Sequence, residues 1–193
     1  MAIIQLNEGI SLLSGSTFNY NDPESCDVKI EDVACALSKV CRFSGHIHYF
    51  YSVAQHCVNT SYIVSPEFAF EALMHDTAEA FTNDLPTPLK AALPIFKELE
   101  VKIESTMSKK FNFNYPFSPA IKLADLQMLK MEKEKIKRDK DRWPLLDGIE
   151  TNEVIDLVDL TMWTPPQAEK KYLNRFWELY NGGNEQVRRE RAA

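Results

Sequence analysis

The sequence predicts an all-α fold in one compact domain, with a short irregular or hairpin segment ahead of it. Three observations predict it. From Asp32 onward, apolar residues recur at helical spacing. The periodic stretches are bounded by Ser-Pro starts, Pro-rich connectors and a Gly-Gly stop. The 193 residues, 45% of them hydrophobic, are enough for a single core.

Residues 1 to 30 turn repeatedly, through IIQL, NEG, ISLL, SGS, TFNY and NDP. Such a series reads as irregular structure or a short hairpin. VACALSKV reads as a short buried helix. From Phe50 to Val64, Val53, Ala54, Cys57, Val58 and Ser61 fall at helical spacing, and Ser65-Pro66 ends the stretch. Pro66 opens a helix expected to run through FAFEALMHDTAEAF. LPTPLKAALP reads as a connector with one helical turn in it. In IFKELEVKIESTMSKKF, Ile95, Leu99, Ile103 and Met107 share one face. SPAIKLADLQMLKMEKEKIKRDK starts apolar and becomes highly charged, so a solvated end is expected. A loop with RWPLLDG and TNEVIDLVDL follows. PQAEKKYLNRFWELYN is the last helix, with Gly182-Gly183 as its expected stop. The domain is therefore read as residues 1–183, and 184–193 as a frayed tail with little to bury.

The net charge of −6, from 22 basic and 28 acidic residues, excludes an open nucleic-acid-binding surface but not a small basic pocket. The N-terminus lacks the basic start and unbroken apolar run of a signal peptide. No stretch approaches the roughly 20 apolar residues of a membrane span. Cys26, Cys35, Cys41 and Cys57 show no CxxC pairing and are expected to be reduced, buried thiols of a cytoplasmic protein.

Four histidines are present, His46, His48, His56 and His75. His56 in YSVAQHCV and His75 in LMHDTAE lie among apolar neighbours, and Asp125 in IKLADLQML has a similar setting. Helical bundles build metal sites from such side chains on facing helices. Taken singly, His56 also fits a hydrogen-bonded core histidine, and Asp125 a partner for Lys122. The adjacent His75-Asp76 pair demands more, because an ionised Asp76 buried without a cation would cost several kcal/mol. Imidazole with carboxylate suits Zn, Mn, Fe, Co or Ni. Glu79, four residues after His75, is expected on the same helix face, and Asp84 in the loop beyond it. A metal-activated water with a flanking carboxylate is an arrangement for hydrolysis.

His56, His75-Asp76 and Asp125 together match the H…HD…D pattern. With CRFSGHIHYFYSVAQH, EFAFEALMHDTAEAFTNDLPTPLK, ADLQML and WPLLDGI, the chain resembles the HD-domain metal-dependent phosphohydrolases. The likeness is to the small deoxynucleotidases of phages and prophages, among them 5'-nucleotidases and dATP triphosphohydrolases, and it spans about residues 14 to 150. It implies an HD-domain helical bundle in which His56, His75, Asp76 and Asp125 bind a divalent ion (Zn, Co, Mn, Ni or Mg), with room for a second. Glu79 and Asp84 become the catalytic carboxylates. Arg42 and Lys90 fall where phosphate contacts are expected. Lys122 could face the same pocket or simply be solvated. Phe43 could stack on a base or sugar, or pack in the core, with Pro86 and Pro88 on the opposite wall. His46 is expected to orient a phosphate or a carboxylate, and His48 to be structural, although HxH on a strand can also form a metal pair. HDTAEA has Ala80 where alarmone hydrolases carry a second acid, and no GYP motif of the cyclic-dinucleotide branch occurs.

The implied substrate is thus a small deoxynucleotide. The charge of Arg42 and Lys90 leans the reading toward dATP, cleaved to deoxyadenosine and triphosphate. The rivals are a 5'-nucleotidase for monophosphates and a non-catalytic nucleotide-binding module. A homo-oligomer is expected, and the aromatic last helix with Phe176, Trp177 and Tyr180 either meets a partner or caps its own core.

Overall fold

The computed structural model describes residues 9–191. The IIQL segment lies outside them. The chain begins with an antiparallel hairpin, β1 (Gly9–Ser11) and β2 (Thr17–Asn19), in the register Gly9 to Asn19, Ile10 to Phe18 and Ser11 to Thr17. A Cβ added at Gly9 would stand 2.1 Å from the Phe18 carbonyl oxygen, so the close approach of the strands requires glycine there. Phe18 is fully buried and stacks on Phe81 with ring centroids 3.9 Å apart. The Tyr20 hydroxyl donates to the Phe81 carbonyl at 2.6 Å. The hairpin is thereby fastened to the helical body.

That body comprises α1 (Ile30–Lys39), α2 (Val53–Ile63), α3 (Ala69–Met74), α4 (Glu79–Thr82), α5 (Thr87–Ala92), α6 (Pro94–Phe111), α7 (Pro119–Glu132) and α8 (Pro165–Arg191). The protein is mostly helical, as the periodicity predicts. Asp32 caps α1, accepting from the Lys29 N–H at 3.0 Å and the Ser14 N–H at 2.7 Å. Ser52 caps α2 by accepting from the Gln55 N–H at 3.1 Å.

α2 packs against α1, α3, α7 and α8. Every residue from Val53 to Ser61 is buried, the polar Gln55, His56, Asn59, Thr60 and Ser61 included. A helix covered on all sides must satisfy its polar groups internally. Gln55 Nε2 donates to the carbonyls of Asp159 (2.9 Å) and Thr161 (2.7 Å). Asn59 Nδ2 donates to the Asp159 carbonyl at 2.9 Å, and its oxygen accepts from the Asp159 N–H at 3.1 Å. These bonds clamp the irregular segment before α8 onto α2. At the other end of α2, Arg175 donates to the Ser61 hydroxyl (3.0 Å) and carbonyl (3.1 Å), a cation on the negative end of the helix dipole.

Several expectations change. The α6 stripe is buried at Ile103 and Met107, but Ile95 is 75% exposed because α6 reaches past the body at its start. The charged end of α7 is not wholly solvated, since Glu132, Lys133 and Ile136 are buried. Cys26 and Cys57 are buried free thiols, whereas Cys35 and Cys41 are half-buried. α8 does not stop at Gly182-Gly183 but continues to Arg191, glycine costing about 1 kcal/mol in a helix rather than forbidding it. Phe176 is buried and Tyr180 stacks on it, so the last helix caps the protomer's own core, while Trp177 stays 43% exposed. Among the described residues, no helix is long and apolar enough to cross a membrane.

Replacing Gln55 by Ala leaves the Thr161 carbonyl without its donor and the Asp159 carbonyl with Asn59 alone. We expect a loss of about 1–3 kcal/mol in urea unfolding, together with faster proteolysis between residues 157 and 163. Unchanged proteolysis would show that the clamp does not hold the segment.

Candidate metal centre

Three pieces of the fold converge on one point. α2 supplies His56, α7 supplies Asp125, and the turn after α3 supplies His75 and Asp76. That turn corrects the single helix expected from Pro66 to Phe81. The chain leaves α3 at Met74 and closes Thr77 N–H on the Met74 carbonyl (3.0 Å) and Glu79 N–H on the Asp76 carbonyl (3.0 Å) before α4 begins. The Thr77 hydroxyl also donates to the Met74 carbonyl at 2.6 Å, offering the backbone an alternative to the helical bond. Leaving the helix lets two adjacent residues serve one point, with His75 Nε2 and Asp76 Oδ1 3.3 Å apart. Glu79 therefore opens a new helix and is not one turn along the old one.

The remaining distances are equally short. His56 Nε2 lies 3.2 Å from His75 Nε2, 3.4 Å from Asp125 Oδ1 and 3.6 Å from Asp76 Oδ2. His75 Nε2 and Asp125 Oδ1 are 3.9 Å apart. Hydrogen-bond partners assign the tautomers. His75 Nδ1 faces the Ala72 carbonyl at 2.7 Å and must donate to it. His56 Nδ1 faces the Glu132 carboxylate at 2.6 Å and donates likewise. Both Nε2 atoms are then lone pairs, pointed at each other across 3.2 Å. Only a proton or a cation between them relieves that contact. Ligand atoms about 2.0–2.1 Å from one ion, at tetrahedral or octahedral angles, lie about 2.9–3.3 Å apart, so the nitrogen pair has the spacing a divalent ion requires. His56, His75 and Asp125 could therefore hold a metal ion, and Cys57, His75 and Asp76 form an overlapping group of the same compactness. Burial pushes the Cys57 thiol's pKa well up, which keeps it protonated and favours the histidine–carboxylate set.

Charge follows the same logic. Burial and Arg42 oppose a charge on His56, yet Glu132 and Asp125 outweigh them and raise its pKa to about 10. Burial works against ionised Asp76 and Asp125, but the neighbouring histidines hold both carboxylates low. The pocket demands positive charge at its centre. It opens to solvent on the Asp76 and Asp125 side, where those side chains are 19% and 25% exposed.

Glu79 is buried, one oxygen accepting from Lys90 at 3.2 Å and the other, Oε2, without a partner among the described residues. Burial, Asp76 and Asp84 push its pKa well up. Asp84 sits in the loop as expected and lines a groove of about 550 Å³ with Lys39, Cys41, Ser44, Pro86 and Leu89.

The expected phosphate contacts are arranged differently. Arg42 is buried, with Nε and Nη2 each 2.9 Å from Glu132 Oε2. Lys90 bridges Glu79 and Glu100, the latter at 2.8 Å. Lys122 is a largely exposed partner of Asp125 at 3.1 Å. Phe43 is half-buried beside Trp143 and under Lys137 Nζ, outside the core. Pro88 is exposed at the start of α5, and His46 and His48 are exposed in a loop rather than on a strand. Glu132 was missed. Its signal was its place seven residues after Asp125, on the same helix face two turns on, hidden in a run of lysines and glutamates.

The pKa directions fix a pH dependence for metal-free protein. His56, raised to about 10, stabilises fully below its unfolded value near about 6.5 and loses that contribution as pH rises toward 10. Asp76 and Asp125, held low, stabilise above about pH 4 and lose it on acidification. In chelator, Tm should fall as pH is raised from about 6.5 to about 10. Saturating divalent ion, which replaces the proton, should flatten that fall. A chelated protein with flat alkaline Tm would contradict this charge balance.

Comparison with known sequences agrees with a shared ancestry for this whole body. No family model matches the chain. The uncharacterized protein RCAP_rcc00048 of Rhodobacter capsulatus is 31% identical over 139 residues, 65% of this chain and 71% of that protein. The uncharacterized protein YfdR of Escherichia coli is 42% identical over 171 residues, covering 88% of this chain and 94% of that protein. At that identity over nearly both full lengths, the chain belongs to the YfdR family.

Proposed function

We propose that the protein is a metal-dependent phosphohydrolase of the HD type that acts on a small deoxynucleotide. The observation that carries this reading is the opposition of two imidazole lone pairs at 3.2 Å, flanked by Asp76 and Asp125. His56, His75, Asp76 and Asp125 would hold a divalent ion, whose chemistry there is to activate water and take up charge from a phosphoryl oxygen. The proton of Glu79 belongs on Oε2, the oxygen without a partner among the described residues, because Oε1 already accepts from Lys90. It goes to the ester oxygen of the departing nucleoside as the phosphorus–oxygen bond breaks. Asp84 and the groove beside it receive the substrate, and burial of Glu79 keeps bulk water from its proton.

A second observation bears on the substrate. The case for a triphosphate rests on Arg42 and Lys90, and both are already neutralised by buried carboxylates. One phosphate is the better match to what remains, so a deoxynucleoside monophosphate is favoured over dATP.

The test is chromatographic. Deoxynucleoside monophosphates, dATP and ATP are incubated with Mn, Co, Zn or Mg, and with chelator as control. Cleavage of monophosphates to nucleoside and phosphate is expected. Direct conversion of dATP to deoxyadenosine would restore the triphosphohydrolase reading, and no turnover with bound metal would leave a binding module. Glu79→Ala should bind metal normally and lose at least about 100-fold in kcat; retained activity would remove Glu79 from the chemistry.

A further inference from the structure

We propose that Arg42 and Glu132 form a brace that fixes the metal ligands His56 and Asp76, making Arg42 a positioning residue and not a phosphate contact. The inference rests on the metal-centre reading above.

Glu132 is fully buried and divides its two oxygens. Oε1 takes the His56 Nδ1–H at 2.6 Å. Oε2 takes both Nε and Nη2 of Arg42 at 2.9 Å. The third nitrogen of the guanidinium, Nη1, stands 3.7 Å from Asp76 Oδ2. One arginine therefore touches the carboxylate behind one ligand and faces the carboxylate of another. A carboxylate behind a ligating histidine sets its tautomer, its ring orientation and its basicity.

The backbone holds Arg42 to this task. Its N–H donates to the Tyr51 carbonyl at 3.0 Å, and Cys41 pairs with Ser52 in an isolated bridge next to α2. The next two residues, Phe43 and Ser44, are left-handed at φ 56° and 51°, so the chain turns directly after Arg42. A phosphate group could claim this guanidinium only in competition with Glu132. Surrendering it would leave Glu132 Oε2 in the interior without its cation, only Oε1 keeping a partner in His56.

The test separates brace from clamp by measuring two affinities. Arg42→Gln and Glu132→Gln proteins are titrated with Zn(II) in competition with a chelator, and then with inorganic phosphate at saturating Zn(II). The brace predicts a loss of about 10–100-fold in Zn(II) affinity for both, with phosphate affinity of the Arg42→Gln protein unchanged. Wild-type Zn(II) affinity in both variants would overturn the brace, and weakened phosphate binding beside it would make Arg42 the clamp. Wild-type protein that binds no divalent ion would instead overturn the metal centre itself. Should either variant fail to fold, the wild-type Zn(II) protein still decides. The His56 Nδ1–H should give a downfield, slowly exchanging proton resonance, and a freely exchanging one would refute the bond to Glu132.

Discussion

The structure turns on two imidazole nitrogens, His56 Nε2 and His75 Nε2, that face each other at 3.2 Å. His56 and His75 each give their Nδ1–H to an oxygen behind the ring, so their Nε2 lone pairs meet at 3.2 Å. Nothing in a protein core tolerates that contact unless positive charge lies between. Asp76 and Asp125 add negative charge around the same point, so a proton or a bound cation there is favoured, and the group could hold a metal ion. The fold can be read outward from this constraint.

α2 carries His56 through the middle of the protein, covered on every side. Its position is secured at both ends, by the Gln55 and Asn59 clamp on the segment before α8 and by Arg175 at its last turn. α7 contributes Asp125 and, two turns on, Glu132. The break between α3 and α4 brings His75 and Asp76 to bear on one point. Each piece has an ordinary reason to be where it is, and together they bring His75, Asp125 and Asp76 to 3.2, 3.4 and 3.6 Å from His56 Nε2.

Arg42 and Lys90, the cations beside the centre, are both paired with carboxylates. Arg42 answers Glu132, and Lys90 answers Glu79 and Glu100. A buried pair is stable when both partners are present and costly when one is removed. This pairing is why residues that look like phosphate contacts in the sequence behave as supports in the fold. It also leaves Glu79 with one oxygen that has no partner among the described residues.

By itself the sequence determined the helical architecture, a leading segment that is either irregular or a hairpin, and the four candidate ligands. Helical periodicity and Pro or Ser punctuation are local properties, and a His-Asp pair among apolar residues is costly wherever it folds. Tertiary structure decided the rest. Whether Arg42 meets a phosphate or Glu132, 90 residues away, depends on which helices pack together. Glu132 was invisible because a buried carboxylate and a solvated one look alike in a run of charges. The break at His75 was hidden because helical spacing continues through it, and only the hydrogen bonds show that the chain leaves the helix there. Long-range pairing separates a constellation that can be read in sequence from a site whose partners cannot.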